Sequence, residues 1–306
     1  MKISELLLEG KRGLSDGKED SSDSLGLEER VQNAVCSLDA EVLLAHVLDC
    51  SRENLIRDSQ EEVSEDDRQV YLKYVEQVVQ GKPVAYLTHQ KEFYGMDFYV
   101  DERVLIPRPE TEMIVDHVLD WLVDKSRKDD ADLSREIRML DVGTGSLNIT
   151  AAIIRHFGHV YSHAVDISEE AVEVARLNSE AHGLETHAEI YQSDLLSNVD
   201  ETDFDIIVTN LPYIGEKVNR NVSADVEKHE PSSALWGGDD GLELYKKMIQ
   251  EILDKNIDFN LFVGEFGSGQ VDAMSAMLSK FFEQGYRWEI KADLAGIPRM
   301  FIVEKV

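Results

Sequence analysis

The run Ile137-Arg138-Met139-Leu140-Asp141-Val142-Gly143-Thr144-Gly145-Ser146 sets the fold class. An apolar segment of strand length, residues 137–142, passes into a loop of small residues, and the helical pattern of residues 149–157 follows. Small residues at 143–146 let backbone N–H groups and a helix N-terminus come close to a ligand, which points to a nucleotide-like cofactor. The dinucleotide fingerprint needs a third glycine, and Asn148 stands in its place, so the pyrophosphate-binding version is incomplete. The alternative is a glycine turn joining strand to helix with no ligand.

Downstream, strands alternate with helices, the signal for βαβ units around a mostly parallel sheet. Residues 160–167 read as a second strand, 169–182 as a helix, and 188–192 and 204–209 as further strands. A helix over 242–253, a strand over 260–265 and a helix over 269–282 precede two terminal strands, 288–292 and 300–304, close enough to pair antiparallel. Upstream, apolar residues recur at helical spacing from about residue 30 to residue 80, as in Ala40, Leu43, Leu44, Val47 and Leu48. The expected organisation is an N-terminal helical domain over residues 1–82, a β-hairpin linker over 83–108 and an α/β domain over 109–306. Residues 10–29, rich in Gly, Ser, Asp and Glu, are expected to form a flexible insertion.

Composition narrows the function. The chain has 306 residues, enough for about two domains at roughly 150 residues each. Its 31 Lys and Arg against 61 Asp and Glu give a formal charge of −30, yet 42% hydrophobic residues make it a folding composition. Such a field repels phosphates, so direct nucleic-acid or anionic-membrane binding is not expected, and a basic partner is favoured. Only Cys36 and Cys50 are present, with no CxxC pair, so neither a disulfide framework nor a cysteine zinc site is expected. The irregularly placed His156, His159 and His163 match no metal-ligand pattern, and no metal site is expected. No export signal or spanning segment is read, so the expected location is the cytoplasm.

Two carboxylates extend the cofactor reading. Asp166 ends the second strand, 25 positions after Asp141, where an α/β nucleotide site places a carboxylate on ribose hydroxyls. An N-cap is its other reading, but Ser168 is better placed for that. Asp194, followed by Leu195 after the third strand, can accept a hydrogen bond from an adenine amino group. The sharpest chemical signal is Asn210-Leu211-Pro212-Tyr213, at the carboxyl end of the apolar strand Ile206-Ile207-Val208. Asn210 offers a side-chain carbonyl, Leu211 a backbone carbonyl, Pro212 a fixed φ and Tyr213 an aromatic face, a set suited to gripping a planar NH2 group.

These motifs together resemble the class I S-adenosylmethionine-dependent amino methyltransferases, and more specifically the protein-(glutamine-N5) methyltransferases of peptide chain release factors, the HemK family. Supporting stretches are Lys82-Pro83-Val84-Ala85-Tyr86-Leu87-Thr88, Leu105-Ile106-Pro107-Arg108-Pro109-Glu110-Thr111-Glu112, Ala234-Leu235-Trp236-Gly237-Gly238 and Asp293-Leu294-Ala295-Gly296-Ile297-Pro298-Arg299. The resemblance implies a Rossmann-like domain with a mostly parallel seven-stranded sheet beside a small helical, release-factor-docking domain. It implies S-adenosylmethionine as cofactor, contacted by Gly143, Thr144, Gly145, Ser146, Leu147, Asp166, Asp194, Leu195 and Asn210. The implied substrate is the Gln of a release factor's Gly-Gly-Gln loop, held by Asn210, Leu211, Pro212 and Tyr213 with Arg108 and Glu110 alongside.

Two positions depart from the family pattern: Leu211 takes the first proline position of Asn-Pro-Pro-Tyr, and Leu147 stands where a glycine follows Ser146. The first leaves the backbone carbonyl in place; the second bears on cofactor affinity. Glu110 and Glu112 are also explained as acids at a helix start, and Trp236-Gly237-Gly238 as a glycine turn before the next helix. The expected reaction is direct in-line methyl transfer by a monomer. Two rivals are a nucleic-acid adenine N6-methyltransferase using the same grip on a flipped base, and a degenerate S-adenosylmethionine-binding interaction module.

Overall fold

A computed structural model describes residues 1–16, 26–127, 135–218 and 222–306. The chain divides into two compact units, Met1–His89 and Gln90–Val306.

The first unit is helical: α1 (Ile3–Asp16), α2 (Gly26–Val47), α3 (Arg52–Arg57), α4 (Glu65–Val79) and α5 (Val84–Thr88). Ser51 and Ser64 cap α3 and α4 by accepting the N–H groups of Asn54 and Asp67, and Glu65, Asp66 and Asp67 complement the dipole of α4. Leu6, Leu14, Ala40, Leu43, Leu44 and Tyr71 form its core. The flexible insertion expected over residues 10–29 is corrected at both ends. Residues 10–16 complete α1, because Ile3, Leu6, Gly10 and Leu14 line one buried face at spacings of three and four, a pattern that the polar residues between them mask. Residues 26–29 open α2; residues 17–25 lie outside the described residues.

The linker expected over 83–108 is also corrected. Residues 84–88 are α5 of the first unit, and the hairpin β1 (Lys91–Phe93) and β2 (Met96–Phe98) belongs to the second. It is strapped there by Asn178, whose side chain accepts the Tyr99 N–H at 2.7 Å and donates to the Tyr99 and Ser146 carbonyls at 2.9 Å each.

The second unit continues through a 3-10 turn (Pro109–Thr111), α6 (Glu112–Ser126), β3 (Ile137–Val142), α7 (Asn148–Phe157), β4 (Val160–Asp166), α8 (Glu169–His182), β5 (Ala188–Gln192) and β6 (Ile206–Thr209). After α9 (Ala224–His229) and a 3-10 turn (Ser232–Ala234) come α10 (Glu243–Asp254), β7 (Leu261–Glu265), α11 (Val271–Phe281), β8 (Tyr286–Ala292) and β9 (Pro298–Lys305). Seven strands form one sheet in the order β5-β4-β3-β6-β7-β9-β8. The first five are parallel; β9 runs antiparallel to both β7 and β8. Apolar clusters cover both sheet faces, which is why β6 and β7 read as unbroken apolar runs. Strand order reverses between β3 and β6, so the loops leaving these strands, 143–147 and 210–213, open the crevice in which doubly wound sheets bind ligands.

Candidate active site

The loop after β3 is tied to the end of β4. The N–H groups of Gly143 and Thr144 donate to the Val165 carbonyl at 2.8 and 2.9 Å, Gly145 N–H donates to Asp166 Oδ2 at 3.0 Å, and Leu147 N–H to the Thr144 carbonyl at 2.9 Å. These four donors are used within the protein, whereas Ser146 and the start of α7 at Asn148 and Ile149 line the cavity described below. Gly143 holds φ +77°, and a Cβ there would stand 3.1 Å from Leu211 Cδ2, so glycine lets the two loops meet.

Beneath this loop Asp141 is fully buried. Its Oδ2 accepts the hydroxyls of Thr144 and Thr150 at 2.8 and 2.7 Å, while Oδ1 has no partner. Burial pushes its pKa from 3.8 up to about 6 against the two threonine hydrogen bonds. The folded protein therefore favours the neutral acid, a contribution fully present below 3.8 and lost as pH rises through about 6. At about 1.4 kcal/mol per pH unit, ionisation costs the fold about 3 kcal/mol at pH 7.5 and about half that at pH 5. Asp141→Asn should accordingly gain on the order of 1–2 kcal/mol relative to wild type between pH 5 and pH 7.5, read from urea unfolding at both. A variant-to-wild-type difference that does not change with pH would show that Asp141 is not the titrating group.

A cavity of about 290 Å³ opens against the loop, lined by Gly143, Thr144, Gly145, Ser146, Asp166, Asp194, Leu195, Asn210, Leu211 and Pro212, with Arg108 and Trp236 at its side. Asp166 accepts the Ser168 N–H at 3.0 Å on Oδ1 and the Gly145 N–H on Oδ2. Burial raises its pKa and those backbone donors oppose the rise. Ser168, not Asp166, caps α8. Asp194 is half exposed and pairs with Lys247 at 2.8 Å. Two carboxylates on the cavity wall match a nucleoside carrying hydroxyl and amino donors and a positive charge, so the residues fit S-adenosylmethionine.

Asn210 leaves β6 at the crevice with its Nδ2 donating to Thr111 Oγ1 and Glu265 Oε2, both at 3.1 Å. Tyr213 donates its hydroxyl to Glu265 Oε1 at 2.9 Å, and Thr111 donates to Glu265 Oε2 at 2.6 Å. The Leu211 N–H donates to the buried Tyr245 hydroxyl at 3.1 Å, and that hydroxyl donates to the Glu265 carbonyl. Burial, with the neighbouring Glu265 charge, holds the Tyr213 hydroxyl firmly protonated. A second cavity of about 290 Å³ lies on the other side of this loop, with Tyr213, Gly267, Gln270 and Arg299 in its wall; Asn210, Leu211, Pro212 and Arg108 line both cavities. Arg108 pairs with the buried Glu230 at 2.5 Å, and Arg299 with Asp293 at 2.7 Å.

Two expected contacts fall outside these walls. Leu147 has φ +69° and is fully buried, but its side chain enters the core between sheet and helices and does not line the cavity. Glu110 is exposed on the 3-10 turn and lines neither cavity, in keeping with its role as a helix-start acid. Conversely, the loop at 236–241 is more than a turn: a Cβ on Gly237 would sit 2.3 Å from the Pro212 carbonyl, so this glycine lets the loop buttress the tetrapeptide. Glu265, Tyr245 and Asn178 carry no local motif. The available signal for Glu265 was an acid closing an apolar strand at the ligand-binding end of a parallel sheet.

Comparison with known proteins places this architecture. Residues 27–88 match the PrmC N-terminal domain model and residues 115–229 the methyltransferase small domain model. A release factor glutamine methyltransferase of Bacillus cereus is 35% identical over 86% of this chain and 91% of its own length. The Bacillus subtilis enzyme of the same name is 36% identical over 85% and 88%. The chain belongs to the release factor glutamine methyltransferase family. Its α/β architecture is shared more widely: the N-terminal domain of human METTL16 in complex with SAH superposes with a TM-score of 0.51 at 16% identity, covering 86% of this chain and 93% of that one. The catalytic domain of hMettl16 bound to an RNA hairpin gives 0.54 at 15% identity, covering 72% and 80%. At such identities only the fold is common, whereas the release factor glutamine methyltransferases match across both units of this chain. Among the described residues no helix is long and apolar enough to cross a membrane, and no group of three His, Cys, Asp or Glu side chains is placed to hold a metal ion.

Proposed function

We propose that this chain methylates the side-chain amide nitrogen of the Gln in the Gly-Gly-Gln motif of peptide chain release factors. S-adenosylmethionine, when bound, would supply the methyl group from its sulfonium, the S–CH3 bond breaking as the N–CH3 bond forms, with S-adenosylhomocysteine as the leaving thioether and one amide proton released to solvent. The observation that carries the reading is the shared wall: Asn210, Leu211 and Pro212 separate a nucleoside-sized cavity from a second cavity bearing Tyr213. Donor and acceptor can thus meet across one loop.

An amide nitrogen is a weak nucleophile, because its lone pair is delocalised into the carbonyl, so alignment must supply much of the rate. Asn210 Oδ1 and the Leu211 carbonyl accept the two amide hydrogens, Pro212 restricts the loop, and the Tyr213 ring packs on the amide plane. On the cofactor side, Asp166 and Asp194 accept from hydroxyl and amino groups, and Gly143, Thr144, Gly145 and Ser146 form the floor. Arg108, held by Glu230, lines both cavities. The unit Met1–His89, which has its own core and carries no catalytic motif, docks the release factor, and a chain of charge −30 favours a basic surface on that partner. The adenine reading is not favoured, because Arg108 and Arg299, the cations lining the second cavity among the described residues, are both paired with carboxylates.

The test mixes the protein with methyl-labelled S-adenosylmethionine and a release factor, wild type or Gly-Gly-Gln→Gly-Gly-Ala, beside a ribosomal RNA reaction. Label on the wild-type factor alone is expected. Label on RNA would transfer the assignment to the adenine enzymes, and cofactor binding without any label would point to an interaction module.

A further inference from the structure

We propose that Glu265 is a positioning residue that fixes which end of the Asn210 amide faces the acceptor. Three donors converge on this one buried carboxylate, at 3% exposure: Tyr213 Oη on Oε1, and Thr111 Oγ1 and Asn210 Nδ2 on Oε2. A carboxylate has only acceptor sites, so it can satisfy all three at once; an amide or a protonated acid cannot. The consequence falls on Asn210. Its two amide ends are nearly equal in shape, and a flip would put an acceptor against an acceptor at Glu265 and turn the NH2 group toward an incoming NH2. The carboxylate forbids that flip, so Oδ1 is the end left for the substrate. The Thr111 hydroxyl supports the same orientation, since its proton goes to Glu265 at 2.6 Å and its lone pair receives Nδ2 at 3.1 Å. Nothing local marks Glu265, which lies 55 positions after Asn210 and reaches it because β6 and β7 are parallel neighbours.

The inference rests on the proposed grip of Asn210 on the acceptor amide, and the experiment separates the two. Wild type, Glu265→Gln, Asn210→Asp and the double variant are assayed for labelled methyl transfer to the release factor, with cofactor Kd and Tm measured for each. Glu265→Gln should lose about 100-fold in kcat, the cost of a misdirected reacting group, with cofactor Kd within about threefold of wild type. Asn210→Asp alone sets two carboxylates against each other and should be at least as impaired. In the double variant, the amide introduced at position 265 can donate to the carboxylate introduced at position 210, whose other oxygen still accepts from the substrate, so kcat should recover about tenfold over Glu265→Gln. Recovery on combining two damaging changes is not what a packing role predicts. Activity of Glu265→Gln within threefold of wild type overturns the inference and leaves the grip standing, as does a double variant no better than Glu265→Gln. Parallel loss of rate, cofactor affinity and Tm in Glu265→Gln reduces the residue to structural support. If wild type itself leaves the factor unlabelled, the grip and the inference fall together.

Discussion

Asn210→Ala should reduce methyl transfer to the release factor by about three orders of magnitude in kcat while leaving the fold intact. The side chain is only partly buried, so its removal opens no core cavity. What is lost is the acceptor that aligns the amide nitrogen, and losses of about 100- to 1000-fold are usual when one preorganised group at a reacting centre is deleted. Truncation also leaves the Glu265 oxygen and Thr111 with one donor fewer, which disturbs the loop that carries the Leu211 carbonyl. Single-turnover kinetics with saturating cofactor, beside a Tm measurement, give the check. A variant within tenfold of wild type in the single-turnover rate would remove Asn210 from the centre of the mechanism.

Asp166→Ala should act on the other ligand, weakening S-adenosylmethionine by about 100-fold in Kd and sparing the turnover of enzyme that is saturated with it. Hydrogen bonds to a charged acceptor contribute roughly 1.5–3 kcal/mol each, and about 3 kcal/mol corresponds to about 100-fold in affinity. The same carboxylate receives the Gly145 and Ser168 N–H groups at 3.0 Å, so its loss also slackens the wall of the cavity. Titration calorimetry with S-adenosylmethionine and with S-adenosylhomocysteine measures the effect. Because both share the ribose, equal losses are expected, and a loss confined to one would place Asp166 away from the sugar.

The readable parts of this protein are those whose partners are close in sequence. Strand β3, its glycine loop and Asp166 lie within one βαβ unit, and Asn210 to Tyr213 are contiguous, so spacing alone brought them to one crevice. Strands β6 and β7 were legible as apolar runs, and β3, β4 and β5, which carry polar residues such as Arg138, His163 and Glu189, from their alternation with helical segments. The helical segment at residues 10–16 was not, since its two buried positions, Gly10 and Leu14, are outnumbered by charged and small residues, and composition averages over both. Glu265 and Tyr245 were illegible for a different reason: Glu265 meets the catalytic loop only through strand order and Tyr245 only through the packing of α10 on the sheet, and a lone acid or tyrosine beside apolar residues has many ordinary explanations. Leu147 showed the limit of a motif. The departure was visible, but only the backbone reveals that its side chain turns into the core and away from the ligand.

That turn has an energetic consequence. A glycine at 147 would adopt its left-handed conformation freely, whereas Leu147 strains its backbone by roughly 1–2 kcal/mol. Burial of its side chain offsets this by about 2–3 kcal/mol. The shape of the cofactor loop is therefore maintained by the packing beneath it instead of by the freedom of its own backbone. A change that loosens the core next to α7 is felt at the cofactor loop as well as in the interior.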